Sequence, residues 1–200
     1  MRELLEVSVP AGGASIDEVE FVTLDIETTG LDAATADMLS VGWAVLKAGR
    51  VNLGTAETHI VKPDGEVGAS ATVHGLTDTV VEAGLPRNAV IDKVVSVMRG
   101  RVLLVHHAGL DKGLLDRLCM QQYGCPLLVP VVDTLALESR RRQRQHHLES
   151  GSQLNLSALR DYYNLPRYAA HDCLVDAIAT AELLLAMRSR HSLTTLSELL

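Results

Sequence analysis

The sequence lacks the features that mark several classes of protein. Its three cysteines include no Cys-x-x-Cys pair, so we expect free thiols rather than a disulfide framework or a zinc ribbon. No apolar run approaches the roughly 18 residues that a bilayer span needs. The first residues lack the basic-then-apolar pattern of a secretory signal. These absences together predict a cytoplasmic protein.

Basic charge and aromatic side chains are scarce as well. The chain has 18 Lys and Arg against 25 Asp and Glu, a net charge of −7. This balance argues against a protein that coats nucleic acid through a broad basic face. Aromatic residues make up 3% of the chain, which leaves few platforms on which bases could stack. Hydrophobic residues make up 47% of the 200 positions, which is enough for one packed core.

The hydrophobic pattern predicts one α/β domain. We expect a flexible leader over residues 1–18, a folded domain over 19–190, and a leucine-rich tail or short helix over 191–200. Three antiparallel strands followed by alternating helices and strands predict a mixed sheet with helices on its faces. The expected strands are 21–27, 38–47, 51–61, 102–105 and 129–133, and the expected helices are 88–99, 111–122, 155–163 and 172–189.

One stretch, between residues 138 and 152, is strongly basic. Its composition favours a solvated loop or a frayed helix end, and the alternative is a flap that contacts phosphate groups beside an active site. The arginines concerned are Arg140, Arg141, Arg142 and Arg144.

Two carboxylates lie in the first predicted strand. Asp25 and Glu27 alternate with apolar residues, so both project from one face of the strand, roughly 6.6 Å apart. Two ionised carboxylates at this distance repel each other unless a divalent cation lies between them. The alternation alone is also compatible with the exposed polar face of an edge strand.

Two further carboxylates occupy inward positions on predicted helices. Asp111 shares a stripe with Leu114 and Leu118, although a helix N-cap is an alternative role for it. Asp176 faces inward on the last long helix, and His171, five residues earlier, can swing over the same pocket. A charge on a core-facing stripe is costly unless it is paired or bound to metal. Four such carboxylates and a histidine base match two-metal phosphoryl chemistry.

The motifs around these residues resemble the DEDDh (DnaQ-like) family of 3′–5′ exonucleases. The three family motifs are matched by DIETTG at 25–30, HHAGLD at 106–111 and HDCLVD at 171–176. VHGLT at 73–77 and VDTL at 132–135 match two more family segments, and the order and spacing agree from 21 to 187. The resemblance implies a ribonuclease H-like fold with a five-stranded mixed sheet. It also implies stepwise hydrolysis from a 3′ end, as in DNA proofreading, with nucleoside 5′-monophosphates as products.

The resemblance further implies roles for individual residues. Four carboxylates would hold two divalent cations, Mg²⁺ or Mn²⁺, and a histidine would be the general base. The implied catalytic residues are Asp25, Glu27, Asp111, His171 and Asp176, and all but His171 are metal ligands. The implied substrate-binding residues are Thr28, Thr29, Gly30, Leu31, His74, Leu76 and His107.

Two positions depart from the family pattern, and several functions stay open. His107 replaces the usual asparagine and Leu110 the usual phenylalanine, and we expect Asp133 to be a structural acid. The expected substrate is the 3′ end of single-stranded or frayed DNA, with a DNA polymerase subunit as a candidate partner and no membrane involved. An RNA exonuclease or oligoribonuclease is one alternative. The other is a non-catalytic module that binds nucleic acid or a partner, which the five filled positions disfavour.

Overall fold

The computed structural model describes residues 10–62, 84–144, 153–169 and 171–200. Within these ranges the chain forms six strands and six helices. The strands are β1 (Glu20–Thr28), β2 (Met38–Lys47), β3 (Arg50–Lys62), β4 (Leu85–Pro86), β5 (Val102–Val105) and β6 (Val131–Asp133). The helices are α1 (Arg87–Val97), α2 (Ala108–Tyr123), α3 (Thr134–Arg144), α4 (Leu156–Tyr162), α5 (Cys173–His191) and α6 (Leu196–Leu199).

All six described strands form one mixed sheet in the order β4-β3-β2-β1-β5-β6. The hairpin partners β1, β2 and β3 are antiparallel, whereas β5 and β6 extend the sheet in parallel from β1. This confirms the α/β class and the mixed sheet. The expected number of five strands is wrong by one, because the two-residue strand β4 pairs in parallel with β3. Two residues are too few to show the alternation of apolar and polar side chains from which a strand is predicted.

Helices cover both faces of the sheet. On one face Val22 and Leu24 of β1 pack with α1 and α2, which contribute Val90 and Leu114. On the other face α3, α4, α5 and α6 build a second cluster of buried side chains. Because β1 lies between β2 and β5, it is a central strand, and the edge-strand explanation for its two carboxylates is wrong.

The two ends of the described chain meet on this second face. The N–H of Ile16 donates to the carbonyl of Thr194, Ser15 forms a β-bridge with Thr195, and Ile16 itself is buried. Residues 14–16, within the expected leader 1–18, therefore contact the tail, and the side chain of Ile16 packs there. Residues 1–9 lie outside the described ranges. Within the tail, Leu196–Leu199 form the short helix α6, and Leu196 and Leu199 are buried.

The basic stretch is helical as far as residue 144, since α3 runs through it. Arg140 donates to the carbonyl oxygens of Leu199 and Leu200 and so anchors α6. Arg141 and Arg142 both pair with the buried Glu138. Three of the four arginines therefore bind parts of the fold, and residues 145–152 lie outside the described ranges. Among the described residues, no helix has both the length and the apolar composition that crossing a bilayer requires.

Candidate active site

Three carboxylates converge where β1 passes beneath the start of α5. One oxygen of each of Asp25, Glu27 and Asp176 lies within 4.8 Å of the others. Asp25 and Glu27 share a face because strand residues two apart point the same way. Thr23, two residues before Asp25, lies on that face too, and its hydroxyl donates to the carbonyl of Ala177 on α5. The prediction that Asp25 and Glu27 share one face of the strand is confirmed, and Asp176 approaches that face from α5.

The N-terminal turn of α5 brings Asp176 to the cluster. Asp172 caps this helix by accepting hydrogen bonds from the N–H groups of Leu174 and Val175. The helix crosses β2 at Gly42, where an added Cβ would lie 2.4 Å from the backbone nitrogen of Leu174. Gly42 is also the partner of Asp25 in the β1–β2 register. The close approach at this glycine therefore sets how near Asp176 comes to Asp25.

Sequence reasoning missed both Gly42 and Asp172. The signal for Gly42 is a glycine in the middle of a long apolar strand, which often marks a place where another backbone comes close. The signal for Asp172 is an Asp immediately before a helical pattern, where N-caps are common.

Asp111 approaches the cluster from the opposite side of the sheet. It lies in the first turn of α2 and is only 3% exposed, so the N-cap alternative is wrong and the inward position is confirmed. Burial raises the pKa of its carboxyl group to about 8, although a hydrogen bond with the backbone of Ile26 opposes the shift. Asp111 is not among the carboxylates within 4.8 Å of one another, but its negative charge raises the pKa of Asp25, and the charge of Glu27 raises the pKa of Asp111.

The electrostatics of the cluster suit a divalent cation. Burial raises the pKa of Asp25 well above its usual range, and the negative charges of Asp111, Asp176 and Glu27 raise it further. Burial also raises the pKa of Asp176. Carboxylate oxygens are the donors that Mg²⁺ and Mn²⁺ prefer. A cation among these oxygens would offset the repulsion that otherwise favours protonation, so the residues present fit the implied metals.

His171 lies at the entrance to the cluster. It is exposed, its φ of +71° is in the left-handed region, and its N–H donates to Oδ2 of Asp176 at 3.0 Å. His171 and Asp176 line a cavity of about 670 Å³ on the α4 side of the cluster. The histidine and the acids are thus brought to one place.

The predicted substrate-binding residues are grouped only in part. Thr29 is tied to Asp37 by two hydrogen bonds, from Asp37 N to Thr29 Oγ1 at 2.9 Å and from Thr29 N to Asp37 O at 3.0 Å. Thr28 donates to the carbonyl of Gly30 at 2.6 Å, and Leu31 is 90% exposed. Thr28 is the last residue of β1, and the turn that follows it contains Thr29, Gly30 and Leu31. The positions of His74 and Leu76 lie outside the described residues.

His107 precedes α2 and is held by Asp133. One oxygen of Asp133 accepts from the N–H of His107 at 3.0 Å and the other from the N–H of Ala108 at 2.9 Å. Asp133 also accepts from Leu135, so it joins the starts of two helices. This is the structural role expected for Asp133. His107 has a φ of +87°, a conformation that asparagine tolerates better than most residues.

The chain is similar to an exonuclease family, to a segment of DNA polymerases and to solved exonuclease structures. A family model described as Exonuclease (RNase_T) matches residues 22–184. The DNA polymerase III PolC-type proteins of Thermotoga petrophila and Streptococcus agalactiae serotype III are 27% and 28% identical over 192 and 206 residues. These matches cover 93% and 98% of this chain but 13% of each polymerase. The chain therefore spans only about an eighth of the length of these relatives.

Solved structures of exonuclease I share the fold. E. coli exonuclease I in complex with a 5cy-dT13 oligonucleotide superimposes with a TM-score of 0.71 at 16% identity, over 88% of this chain and 42% of that one. Exonuclease I from Methylocaldum szegediense gives a TM-score of 0.72 at 19% identity, over 87% and 41% of the two chains. These likenesses confirm the expected ribonuclease H-like fold.

Proposed function

The chain belongs to the RNase_T exonuclease family, and from this premise we propose that it is a metal-dependent 3′–5′ exonuclease. It would remove nucleoside 5′-monophosphates from the 3′ end of single-stranded or frayed DNA. The observation that carries the proposal is the convergence of Asp25, Glu27 and Asp176 within 4.8 Å. The raised pKa values of Asp25 and Asp111 support it, because they reflect crowded negative charge that a cation would relieve.

We propose that Asp25, Glu27 and Asp176 hold one Mg²⁺ or Mn²⁺ ion, and that Asp25 and Asp111 hold a second. When bound, such ions stabilise charge on the attacking and leaving oxygens of a phosphodiester. The burial of Asp111 and Glu27 keeps both carboxylates in fixed positions, since neither side chain can turn freely into solvent.

His171 is the proposed general base. Its exposed position beside Asp176 lets the imidazole take a proton from a water molecule that attacks the terminal phosphorus. The bond between phosphorus and the O3′ of the preceding nucleotide then breaks, and the O3′ takes up a proton from solvent. The products are a nucleoside 5′-monophosphate and a strand with a new 3′ hydroxyl group.

The turn after Glu27 is the proposed site of the terminal nucleotide. Thr28, Thr29, Gly30 and Leu31 would contact it, with His107 nearby and His74 and Leu76 from a segment outside the described residues. The exposed Leu31 supplies an apolar surface for a base. DNA is favoured because the relatives are named DNA polymerases and one solved neighbour holds a dT13 oligonucleotide. A polymerase partner and a cytoplasmic location remain predictions.

A ladder assay tests polarity, metal requirement and sugar choice together. Matched 5′-labelled DNA and RNA oligonucleotides are incubated with Mg²⁺, with Mn²⁺ or with EDTA, and the products are resolved by length. We expect stepwise shortening of DNA from the 3′ end, faster than that of RNA, and none in EDTA. Faster shortening of RNA would favour the ribonuclease alternative, and no shortening of either would contradict an active nuclease.

Removing single charges from the cluster should abolish turnover while the fold stays intact. We expect Asp25→Asn and Asp176→Asn each to lower kcat by roughly 100-fold or more, since both carboxylates act on the metals. Asp92→Asn is a matched control, because Asp92 lies on α1 and its carboxylate accepts hydrogen bonds from Gln122 and Tyr123 rather than from residues of the cluster. A near-normal rate in either cluster variant would refute the assignment.

A further inference from the structure

Arg160 is a buried arginine on α4 that has no role in the proposed hydrolysis. Its side chain is 4% exposed and contacts three separate parts of the fold. Nη1 donates to the carbonyl of Ala179 at 2.7 Å, and Nη2 donates to the carbonyl of Pro166 and to Oε2 of Glu182, both at 2.8 Å. A guanidinium group presents its donors in a rigid planar fork. These bonds therefore join α4, α5 and the loop between them.

Tyr168 completes a three-residue group, Arg160, Tyr168 and Glu182, which we call the Arg160 clamp. The Tyr168 hydroxyl donates to Oε1 of Glu182 at 2.9 Å. The Arg160 guanidinium lies over the Tyr168 ring, 4.5 Å from its centroid, in cation–π geometry. The loop after α4 is thus held at two points, Pro166 and Tyr168, and the second is three residues before His171.

His171 depends on this loop for its position. Its left-handed backbone conformation is uncommon for a residue other than glycine and persists only where the surroundings hold it. The N–H bond to Asp176 holds it from one side. The clamp holds the preceding loop from the other side, and Arg160, Tyr168, His171 and Asp176 all line the same cavity.

We propose that the Arg160 clamp is a positioning unit that keeps His171 in place over Asp176. The proposal rests on the proposed role of His171 as general base. Arg160 acts through the loop and does not itself contact the reacting atoms. Without the clamp the loop and the imidazole move, whereas Asp25, Glu27 and Asp111, on β1 and α2, keep their positions. The chemical step therefore weakens while binding of metal and oligonucleotide is retained.

Three variants test the clamp. Arg160→Met removes the fork but keeps most of the side-chain bulk, and the partly exposed Glu182 can then hydrate. Tyr168→Phe removes one hydroxyl group from a half-exposed ring. This milder variant still tests the proposal if Arg160→Met does not fold. Arg167→Met is the matched control, because Arg167 lies on the same loop as Tyr168 and pairs with Asp161 of α4, but its side chain is 82% exposed.

Kinetics on a 5′-labelled DNA oligonucleotide give the first readout. We expect Arg160→Met to lower kcat roughly 10- to 100-fold, as for a small displacement of a reacting group. Its KM and its calorimetric affinity for Mn²⁺ should change less than about threefold. Tyr168→Phe should lower kcat in the same direction by a smaller factor, and Arg167→Met should behave as wild type. A rise in KM with an unchanged kcat would overturn the proposal.

A double-mutant cycle shows whether the clamp acts through His171. In a His171→Ala background, adding Arg160→Met should cause no further loss of kcat, since the group being positioned is already absent. The same fold-loss in both backgrounds would contradict the proposal, because the arginine would then act elsewhere.

Hydrogen exchange on the metal-free protein supplies a readout that needs no activity. We expect faster exchange of the amides of Arg167, Tyr168 and His171 in Arg160→Met, and wild-type exchange in Arg167→Met. Unchanged exchange in Arg160→Met would contradict the clamp. Inactivity of the wild-type protein in the ladder assay would instead contradict the proposed function, so the two failures are distinguishable.

Discussion

Asp111 is the single residue whose surroundings most change its chemistry. Burial is the main reason that its pKa rises to about 8, and the charges of Asp133 and Glu27 add to the shift. Near neutral pH the protein population contains both the protonated and the ionised form of such a carboxyl group. Protons and divalent cations therefore compete for the cluster, and the outcome depends on pH.

Stability of the metal-free protein should depend on the charge of Asp111. Its folded-state pKa, about 8, lies above the ordinary value of 3.8, so its contribution to stability is present below pH 4 and is lost as pH rises through 8. We expect the melting temperature in EDTA to fall over this range, by roughly 2–4 °C for each kcal/mol lost. Melting curves of wild type and Asp111→Asn measure the effect.

The Asp111→Asn variant should flatten this pH slope, whereas Asp92→Asn should keep it. Added Mn²⁺ should raise the melting temperature of the wild type more at pH 8 than at pH 5, because the carboxylates are more fully ionised there. An unchanged slope in Asp111→Asn would mean that another group governs the pH response.

Among the elements, the crossing of α5 over β2 decides whether the site forms. A cap at Asp172 starts the helix, and the missing side chain at Gly42 lets it lie against the sheet. The hydroxyl of Thr23 holds the helix one turn further on through the carbonyl of Ala177. Asp176 lies between these contacts, so the helix position and the carboxylate geometry are set together.

Adding one methyl group at Gly42 should disturb both stability and activity. We expect Gly42→Ala to cost at least about 1–3 kcal/mol of unfolding free energy, because backbone rather than a flexible side chain blocks the new Cβ. The kcat of the folded fraction should also fall, since α5 is pushed away from Asp25. Urea denaturation and the ladder assay measure the two effects.

Gly13→Ala is the control for this substitution. A Cβ at Gly13 meets nothing within 4 Å, so that variant should keep wild-type stability and turnover. Full activity in Gly42→Ala would show that the cluster tolerates a shift of α5.

At the scale of the whole molecule, a buried network around Glu138 joins the helices of the second face. Glu138 is fully buried and accepts hydrogen bonds from Arg141, Arg142 and the hydroxyl of Tyr163. The Tyr163 oxygen lies 2.9 Å from Nε2 of His191 on α5. Arg141 and Arg142 therefore help to hold α3, α4 and α5 together.

Neutralising Glu138 should destabilise the fold and leave the chemistry alone. Although burial raises the pKa of Glu138, hydrogen bonds from Arg141 and Arg142 outweigh burial and hold it at about 2, below the usual 4.5. Its stabilisation is present above pH 4.5 and is lost as pH falls through about 2. We expect Glu138→Gln to cost about 3–5 kcal/mol at pH 7, as for a broken buried ion pair.

Urea denaturation at several pH values checks this prediction. The difference between wild type and Glu138→Gln should shrink as pH falls from 4.5 toward 2, and kcat per folded molecule should stay near wild type. Glu18→Gln alters an exposed carboxylate and should change stability by less than about 0.5 kcal/mol. A loss confined to activity would place Glu138 in the catalytic machinery instead.

Local patterns in the sequence determined much of this protein. Three features could be predicted from the sequence: the alternation around Asp25 and Glu27, the inward stripe that includes Asp111, and the motif at 171–176. Each depends only on residues a few positions apart along the chain. The bounds of five strands and four helices were predicted to within a few residues for the same reason, whereas strand β4 and helix α3 were not predicted. The family followed from the order of these motifs along the chain.

Only the tertiary structure decided how the distant parts meet. The 4.8 Å grouping of Asp25, Glu27 and Asp176 depends on how α5 crosses the sheet at Gly42. The packing of Ile16 against the tail and the contacts of Arg160 likewise join segments far apart in sequence. Periodicity records which face of an element is buried, but it carries no information about which other element covers that face.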